Sequence, residues 1–178
     1  MRPSRDEWAM SLVRDTAKRS TCCRRNVGCV ILDKHGDVMS TGFNGVHRGA
    51  PHCNEVVRVL NPKLFADGLR IRPTEHWETE YVDNYPNSCP GAFSPSGTNL
   101  DGCRAIHAEQ NAIMRCKDIY SINKIYISAS PCMTCVKLLL NTSGEYIIFD
   151  EEYPHAEAKA MWESAGRHWI KFSDLQSP

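Results

Sequence analysis

The sequence predicts an α/β domain of three layers, a mixed five-stranded sheet with helices on both faces. Three observations carry this. Beyond residue 120, three runs rich in β-branched and apolar residues alternate with two helical patterns, which implies parallel strands joined by right-handed crossovers. Earlier, "NVGCVILDKHGDVMSTGF" holds two such runs around a "DKHGD" turn, the pattern of an antiparallel β-hairpin. An amphipathic helix precedes that hairpin, so both faces of the sheet have a helix available to cover them.

Taken in order, the first helix is predicted at about residues 4 to 19. "SRDE" has the form of a capping box, with Ser4 as cap and Glu7 reaching back, and Trp8, Leu12, Val13 and Ala17 follow at helical spacing. The hairpin strands fall at about 27–33 and 37–43. Residues 44–102 differ in kind, being dense in Pro, Gly, Asn and aromatic residues, as in "NYPNSCPGAFSPSG", and read as an irregular insertion. Regularity returns with "CRAIHAEQNAIMRC", residues 103–116, which has the apolar spacing of a helix. "KIYISAS" follows as a strand. "SPCMTCVKLLLNTSG" reads as a helix with Ser130 as N-cap, Pro131 in the first helical position and Gly144 as the stop. "EYIIFD" is a buried strand, "HAEAKAMWESAG" a helix and "HWIKF" an edge strand. The 178 residues are expected to form one domain, 1–178, carrying the insertion.

Charge and composition narrow the function. Lysine plus arginine and aspartate plus glutamate stand at 21 each, so no global basic field exists to collect a polynucleotide, and a small or locally recognised partner is expected. No stretch approaches the roughly 18 apolar residues of a membrane span, and no apolar run follows the opening "MRPSRDEWAM". A soluble, cytoplasmic protein is the expectation. Nine cysteines, an odd number without a secretion signal, point to thiols, metal or catalysis rather than a disulfide framework.

Two motifs carry candidate chemistry. Cys132 and Cys135 lie three apart in what reads as the first turn of a helix, so both thiols face one side, and the positive end of the helix dipole favours the thiolate that binds metal. Alone, this spacing also fits two core cysteines or a redox pair. His107 and Glu109 are two apart, and at 3.6 residues per turn their side chains diverge by roughly 200°, so a site using both must lie off the end of the helix. On a helical wheel Glu109 falls among Ala105, Ala112, Ile113 and Cys116, inside the apolar stripe, where a surface glutamate has no place. Withdrawal from water raises a carboxyl pKa, which suits a group that takes and returns a proton near neutral pH. A lone histidine such as His107 is as readily a satisfied core or surface residue.

Together these motifs, H-A-E followed by P-C-x-x-C, resemble the signature of zinc nucleobase deaminases. The resemblance implies zinc held by His107, Cys132 and Cys135, a fourth tetrahedral position left for water, and Glu109 as the catalytic acid and base. "STCCRRNVGCVI", "STGFNGVHRGAPHCNE", "CRAIHAEQNAI" and "SASPCMTCVKLL" are similar to the successive motifs of the deoxycytidylate (dCMP) deaminases, over roughly residues 18–140. That similarity implies a cytidine-deaminase-like α/β/α fold and conversion of dCMP and water to dUMP and ammonia. It places Asn44 against the substrate and the Ala108 amide at the pyrimidine carbonyl. Arg24, Arg25 and Tyr153 are the candidates for the 5′-phosphate and nucleotide, arginine suiting an anion with planar donors.

Of the other cysteines, Cys29 and Cys116 read as core residues, while Cys22, Cys53, Cys103 and Cys89 are expected to hold a second, structural zinc. Cys23 and His52 are alternatives for the fourth ligand. The family resemblance further implies a hexamer, activated by dCTP and inhibited by dTTP with Mg2+, through a site near Gly42, Phe43, Gly45 and His47. Here His47 stands where proline is expected, Phe43 where tyrosine is common, and Met133 where proline often follows the first zinc cysteine. Two other readings compete: a deaminase of another cytosine nucleoside or nucleotide, including a 5-modified dCMP or an RNA base, and a non-catalytic zinc-binding module.

Overall fold

The computed structural model describes residues 2–60, 81–95, 98–99, 101–153 and 155–176. It divides into two compact units, one of Met1–Ser20, Asn26–Asn44 and Ile106–Pro178, the other of Thr21–Arg25 and Gly45–Ala105.

The first unit holds helices α1 (Arg5–Ala17), α2 (Ala108–Arg115), α3 (Met133–Leu139) and α4 (Ala156–Ser164). Its strands are β1 (Gly28–Asp33), β2 (Val38–Phe43), β5 (Ile122–Ala129), β6 (Tyr146–Glu151) and β7 (His168–Lys171). They form one sheet in the order β2-β1-β5-β6-β7, antiparallel on the β2-β1-β5 side and parallel across β5-β6-β7. This is the mixed sheet the sequence predicts, with β7 at the edge. Alternation along the strands sorts the side chains into two cores. Cys29, Ile31, Ile125, Ile127, Ile147 and Phe149 face α2, α3 and α4, while Val30, Leu32, Tyr126 and Ile148 face α1.

Ser4 caps α1 by accepting from the Glu7 amide at 3.2 Å, and the Glu7 carboxylate accepts from the Ser4 amide at 2.7 Å, the reciprocal capping box expected from "SRDE". The buried stripe of α1 is Ala9, Met10, Val13 and Ala17; Trp8 is exposed and Leu12 only partly covered, so the helix is turned slightly from the face the sequence suggests. Two hairpin glycines let helices approach the sheet. A Cβ on Gly28 would lie 2.3 Å from the Val13 carbonyl of α1, and one on Gly42 would lie 2.1 Å from the Ala108 carbonyl of α2.

Two helix starts differ from the sequence reading. α2 begins at Ala108, with His107 as N-cap, so Cys103 and Ala105 precede the helix rather than belonging to its stripe. The residues before His107 mimic helical spacing without forming a turn. α3 begins at Met133 with Cys132 as N-cap, so Ser130 is not the cap and Pro131 lies before the helix. The Ser130 hydroxyl instead accepts from the Tyr153 amide at 2.7 Å. α3 also stops at Leu139, well short of Gly144.

In the second unit, β3 (Val57–Leu60) and β4 (Tyr81–Asn84) pair antiparallel, a small sheet that the composition of the insertion does not reveal. Residues 61–80 of the predicted insertion lie outside the described residues. Cys53, Cys89 and Ala92 form a small core, packed by Cys23, Val46 and Cys103.

Candidate metal centre

Both halves of the candidate site sit at helix starts. As N-cap residues, His107 and Cys132 have extended backbone (φ −70°, ψ 158° and φ −74°, ψ 167°), so each side chain leaves the helix at its end rather than along its flank. Gln110 steadies the first: its Oε1 accepts from the His107 amide at 2.8 Å. Cys135 lies one turn into α3 and is fully buried. The strands β5 and β6 run parallel beneath, and the chain enters α3 directly from the end of β5.

The three candidate ligands converge. The ligand atoms of His107, Cys132 and Cys135 all lie within 4.8 Å of one another. His107 Nδ1 is 3.5 Å from Cys132 Sγ and 3.4 Å from Cys135 Sγ. Metal–ligand bonds of tetrahedral zinc place a nitrogen and a sulfur vertex about 3.6 Å apart, so this spacing fits that ion. The donor set also fits, being one imidazole and two thiols. The hydrogen bond from the Cys135 thiol, then that to His107, brings the Cys132 thiol down to about 3 despite burial, which favours the thiolate form that binds metal. The Cys135 thiol is pushed up by its bond to Cys132 and by burial. His107 is raised, chiefly by its contact with Cys132.

Glu109 is the residue beside this triangle that does not join it. Only 4% of its surface is exposed, and burial raises its carboxyl above the usual 4.5, outweighing the donors it has. It lies in contact with Cys135, so an acid capable of carrying a proton stands against the metal-ligand group. Ala108, fully buried, opens α2, and the amides of a first helical turn have no partner inside the helix.

The other predicted site residues fall in several places. Asn44 is buried just past β2, where its Oδ1 accepts from the Val27 amide at 2.8 Å. Phe43 lies under the Arg115 guanidinium at 5.4 Å, and Gly42 abuts α2. Tyr153 follows β6, its ring 5.0 Å from that of His155. In the second unit, Arg24 donates through Nη2 to the Pro95 carbonyl and, at 2.7 Å, to that of Thr98. His47 Nδ1 lies 3.0 Å from the Arg48 carbonyl, and Gly45 is tight against the Thr21 hydroxyl. Cys53 and Cys103 each bond the Cys89 sulfur, and the Arg24 amide approaches Cys22 Sγ at 3.4 Å. These thiols gather, yet among the described residues only His107, Cys132 and Cys135 have ligand atoms drawn together closely enough to hold one ion as they stand.

Sequence reasoning missed Ser20 and Asn111, two polar residues that hold these pieces, and gave Ser130 a different role. Ser20 Oγ lies 2.7 Å from Asn44 Oδ1, and Asn111 Nδ2 donates to the Phe43 carbonyl at 2.8 Å. Their bonds span 24 and 68 residues, a separation at which no local pattern operates.

Comparison with known proteins agrees with the motifs. The chain is 30% identical over 156 residues to deoxycytidylate deaminase of Schizosaccharomyces pombe, covering 85% of this chain and 38% of that protein. It is 27% identical over 181 residues to deoxycytidylate deaminase of Saccharomyces cerevisiae, covering 100% and 48% respectively. The chain therefore spans less than half the length of these two relatives. Among solved structures, dCMP deaminase from the cyanophage S-TIM5, in complex with dCMP and dUMP, superposes with a TM-score of 0.61 at 20% identity, covering 96% of this chain and 98% of that one. This establishes a shared fold. The family profile described as "Cytidine and deoxycytidylate deaminase zinc-binding region" matches residues 3–151, and the chain belongs to that family.

Proposed function

We propose that this chain is a deaminase domain that converts dCMP and water to dUMP and ammonia, using zinc held by His107, Cys132 and Cys135. The observation that carries the reading is a triangle of three zinc-type ligands with a buried, pKa-raised carboxyl against it. The names of the two yeast relatives and the nucleotides bound by the cyanophage enzyme support dCMP as substrate. Bound zinc supplies the Lewis acidity that makes water nucleophilic near neutral pH. Glu109 accepts a proton from the water attacking C4, returns it to ring N3, and assists departure of the amino group as ammonia. The Ala108 amide donates to the pyrimidine carbonyl, and Asn44 contacts the nucleotide.

For the 5′-phosphate, Arg24, Arg25 and Tyr153 remain the candidates. Arg24 already donates to two backbone carbonyls, of Pro95 and Thr98. We also assign the thiols of Cys22, Cys53, Cys89 and Cys103 to a second, structural zinc, supported by the bonds of Cys53 and Cys103 to Cys89 and by the nearness of Cys22 to both. Regulation by dCTP and by dTTP with Mg2+ near Gly42, Phe43, Gly45 and His47, a hexameric assembly and a cytoplasmic setting follow from the family resemblance. No helix among the described residues is long and apolar enough to cross a membrane.

The test is ammonia release from dCMP, deoxycytidine, CMP, dCTP and a transfer RNA, with metal content measured in parallel. Preference for dCMP and two zinc ions per chain support the assignment. Equal or better activity on another substrate reassigns the specificity, and a single zinc per chain removes the second site. Steady-state rates at subsaturating dCMP that do not respond to dCTP or dTTP dismiss the regulation.

A further inference from the structure

Asn44 is almost wholly buried, with 8% of its surface exposed, and its carboxamide is held from two sides. The Val27 amide donates to Asn44 Oδ1 at 2.8 Å, and the hydroxyl of Ser20, itself 6% exposed, lies 2.7 Å from the same oxygen. The Ser20 oxygen is also 3.0 Å from the Asn44 carbonyl oxygen, so its one proton is shared between the side-chain and backbone acceptors of a single residue, the side-chain oxygen being the nearer. The Asn44 amide in turn donates to the Val27 carbonyl at 3.1 Å. An amide flip would set the Asn44 NH2 against the Val27 N–H, donor against donor, so only one orientation is allowed. With Oδ1 taken by two donors, the far atom of this carboxamide can only donate.

The backbone bearing Asn44 is fixed to the helix that begins at the metal centre. The preceding carbonyl, of Phe43, accepts from Asn111 Nδ2 at 2.8 Å, and the Asn111 amide donates to the His107 carbonyl at 3.0 Å. Gly42 admits the α2 backbone so closely that any side chain there would collide with Ala108.

We propose that Ser20 is a positioning residue for substrate binding, acting through Asn44: with the Val27 amide setting the orientation, the Ser20 hydroxyl holds the carboxamide in place, its NH2 edge turned to an oxygen acceptor of the nucleotide. The inference rests on the proposed contact between Asn44 and dCMP. A locked donor binds without the cost of ordering it at each encounter, and it discriminates against a ligand offering a donor at that place. Ser20 touches neither substrate nor metal in this account, so its effect belongs to binding rather than to the chemical step.

Steady-state kinetics with dCMP on zinc-loaded wild type, Ser20→Ala, Ser20→Thr, Asn44→Ala and the Ser20→Ala/Asn44→Ala double variant test this, with thermal unfolding recorded for each. Losing one such bond should raise KM roughly tenfold in Ser20→Ala, with kcat within about twofold of wild type. Ser20→Thr, which keeps the hydroxyl, should recover most of that loss. In the Asn44→Ala background, Ser20→Ala should add nothing to KM, because the group it positions is gone. A Ser20→Ala effect of the same size in both backgrounds overturns the inference, as does a lowered unfolding temperature with KM unchanged. Asn44→Ala leaving KM unchanged removes the substrate contact and the inference with it. A wild-type protein that neither binds nor deaminates dCMP overturns the proposed function itself.

Discussion

Two carboxylates on opposite faces of the same sheet meet opposite environments. On the α1 face, Asp6 accepts from the Lys124 ammonium at 3.0 Å and from the Tyr126 hydroxyl. Burial works against its charge, yet the Tyr126 and Lys124 bonds outweigh it and hold the carboxyl below its usual 3.8. On the α2 face, Glu109 is buried more deeply, and burial outweighs its donors and lifts it above its usual 4.5. Asp6, lowered by its partners, keeps its charge to lower pH than an ordinary aspartate does. Glu109, raised by burial, holds its proton to higher pH than an ordinary glutamate does. The contrast separates a charge-stabilised carboxylate from a proton-retaining one by surroundings alone, since the first is bonded by Lys124 and Tyr126 and the second stands beside three side chains of metal-binding type.

Replacing each by its amide should therefore give opposite results. Glu109→Gln keeps the shape and removes the exchangeable proton, and we expect deamination of dCMP to fall by about 10²- to 10⁴-fold, measured as ammonia release by protein that retains its zinc. In the metal-free protein the same substitution should stabilise the fold at neutral pH. A carboxyl raised in the folded state costs stability as pH climbs through its ordinary value, and glutamine removes that cost. Denaturant unfolding of the two metal-free proteins should therefore coincide at low pH and separate, with the variant the more stable, above about pH 4.5. Activity surviving in Glu109→Gln would make the two carboxylates equivalent and end the comparison.

The same contrast explains what the sequence shows and what it hides. The strands are legible because β1, β5 and β6 are covered on both faces and so read as continuous apolar runs, such as "CVIL" and "YIIF". The capping box of α1 is legible because all its parts lie within four residues. The convergence of His107, Cys132 and Cys135 is legible through their motifs. The setting of Glu109 is read correctly for a partly wrong reason: Ala105 is not in the helix, and burial comes from α2 packing on the hairpin, where Gly42 admits it. Asp6 looks like an ordinary first-turn acid, because its partners lie 118 and 120 residues away. The insertion is opaque for a related reason: its small core is made of cysteines whose meeting depends on the fold and leaves no period in the sequence.

Asp6→Asn should leave the reaction nearly untouched and cost about 1–2 kcal/mol of stability at neutral pH, the worth of a charge-assisted bond reduced for partial exposure. Its pH dependence runs opposite to that of Glu109. A depressed carboxyl contributes above its ordinary pKa and loses that contribution as pH falls through its folded value. The gap between wild type and Asp6→Asn should therefore hold steady down to about pH 4 and close below the usual 3.8, as read by denaturant midpoints across that range. A gap that widens in acid would mean that Asp6 is held by something other than its charge.

The smallest effect separates the two partners of Asp6. Lys124 keeps about a third of its side chain exposed, as does Asp6, so water already screens much of their attraction. The Tyr126 ring is fully buried, and burial together with the bond to Asp6 raises its phenol, so that hydroxyl stays a donor throughout. Lys124→Met keeps the stem and removes the charge, and should cost only about 0.5 kcal/mol, shrinking further in molar salt, where the screening length falls to about 3 Å. Tyr126→Phe, which strips a buried hydroxyl from the same carboxylate oxygen, should cost more, about 1–2 kcal/mol, and should not respond to salt. The reverse order would show that Asp6 is braced by Coulomb attraction rather than by a directed bond. That would bring its setting closer to that of an ordinary surface acid, and the distance between the two faces of the sheet would rest on Glu109 alone.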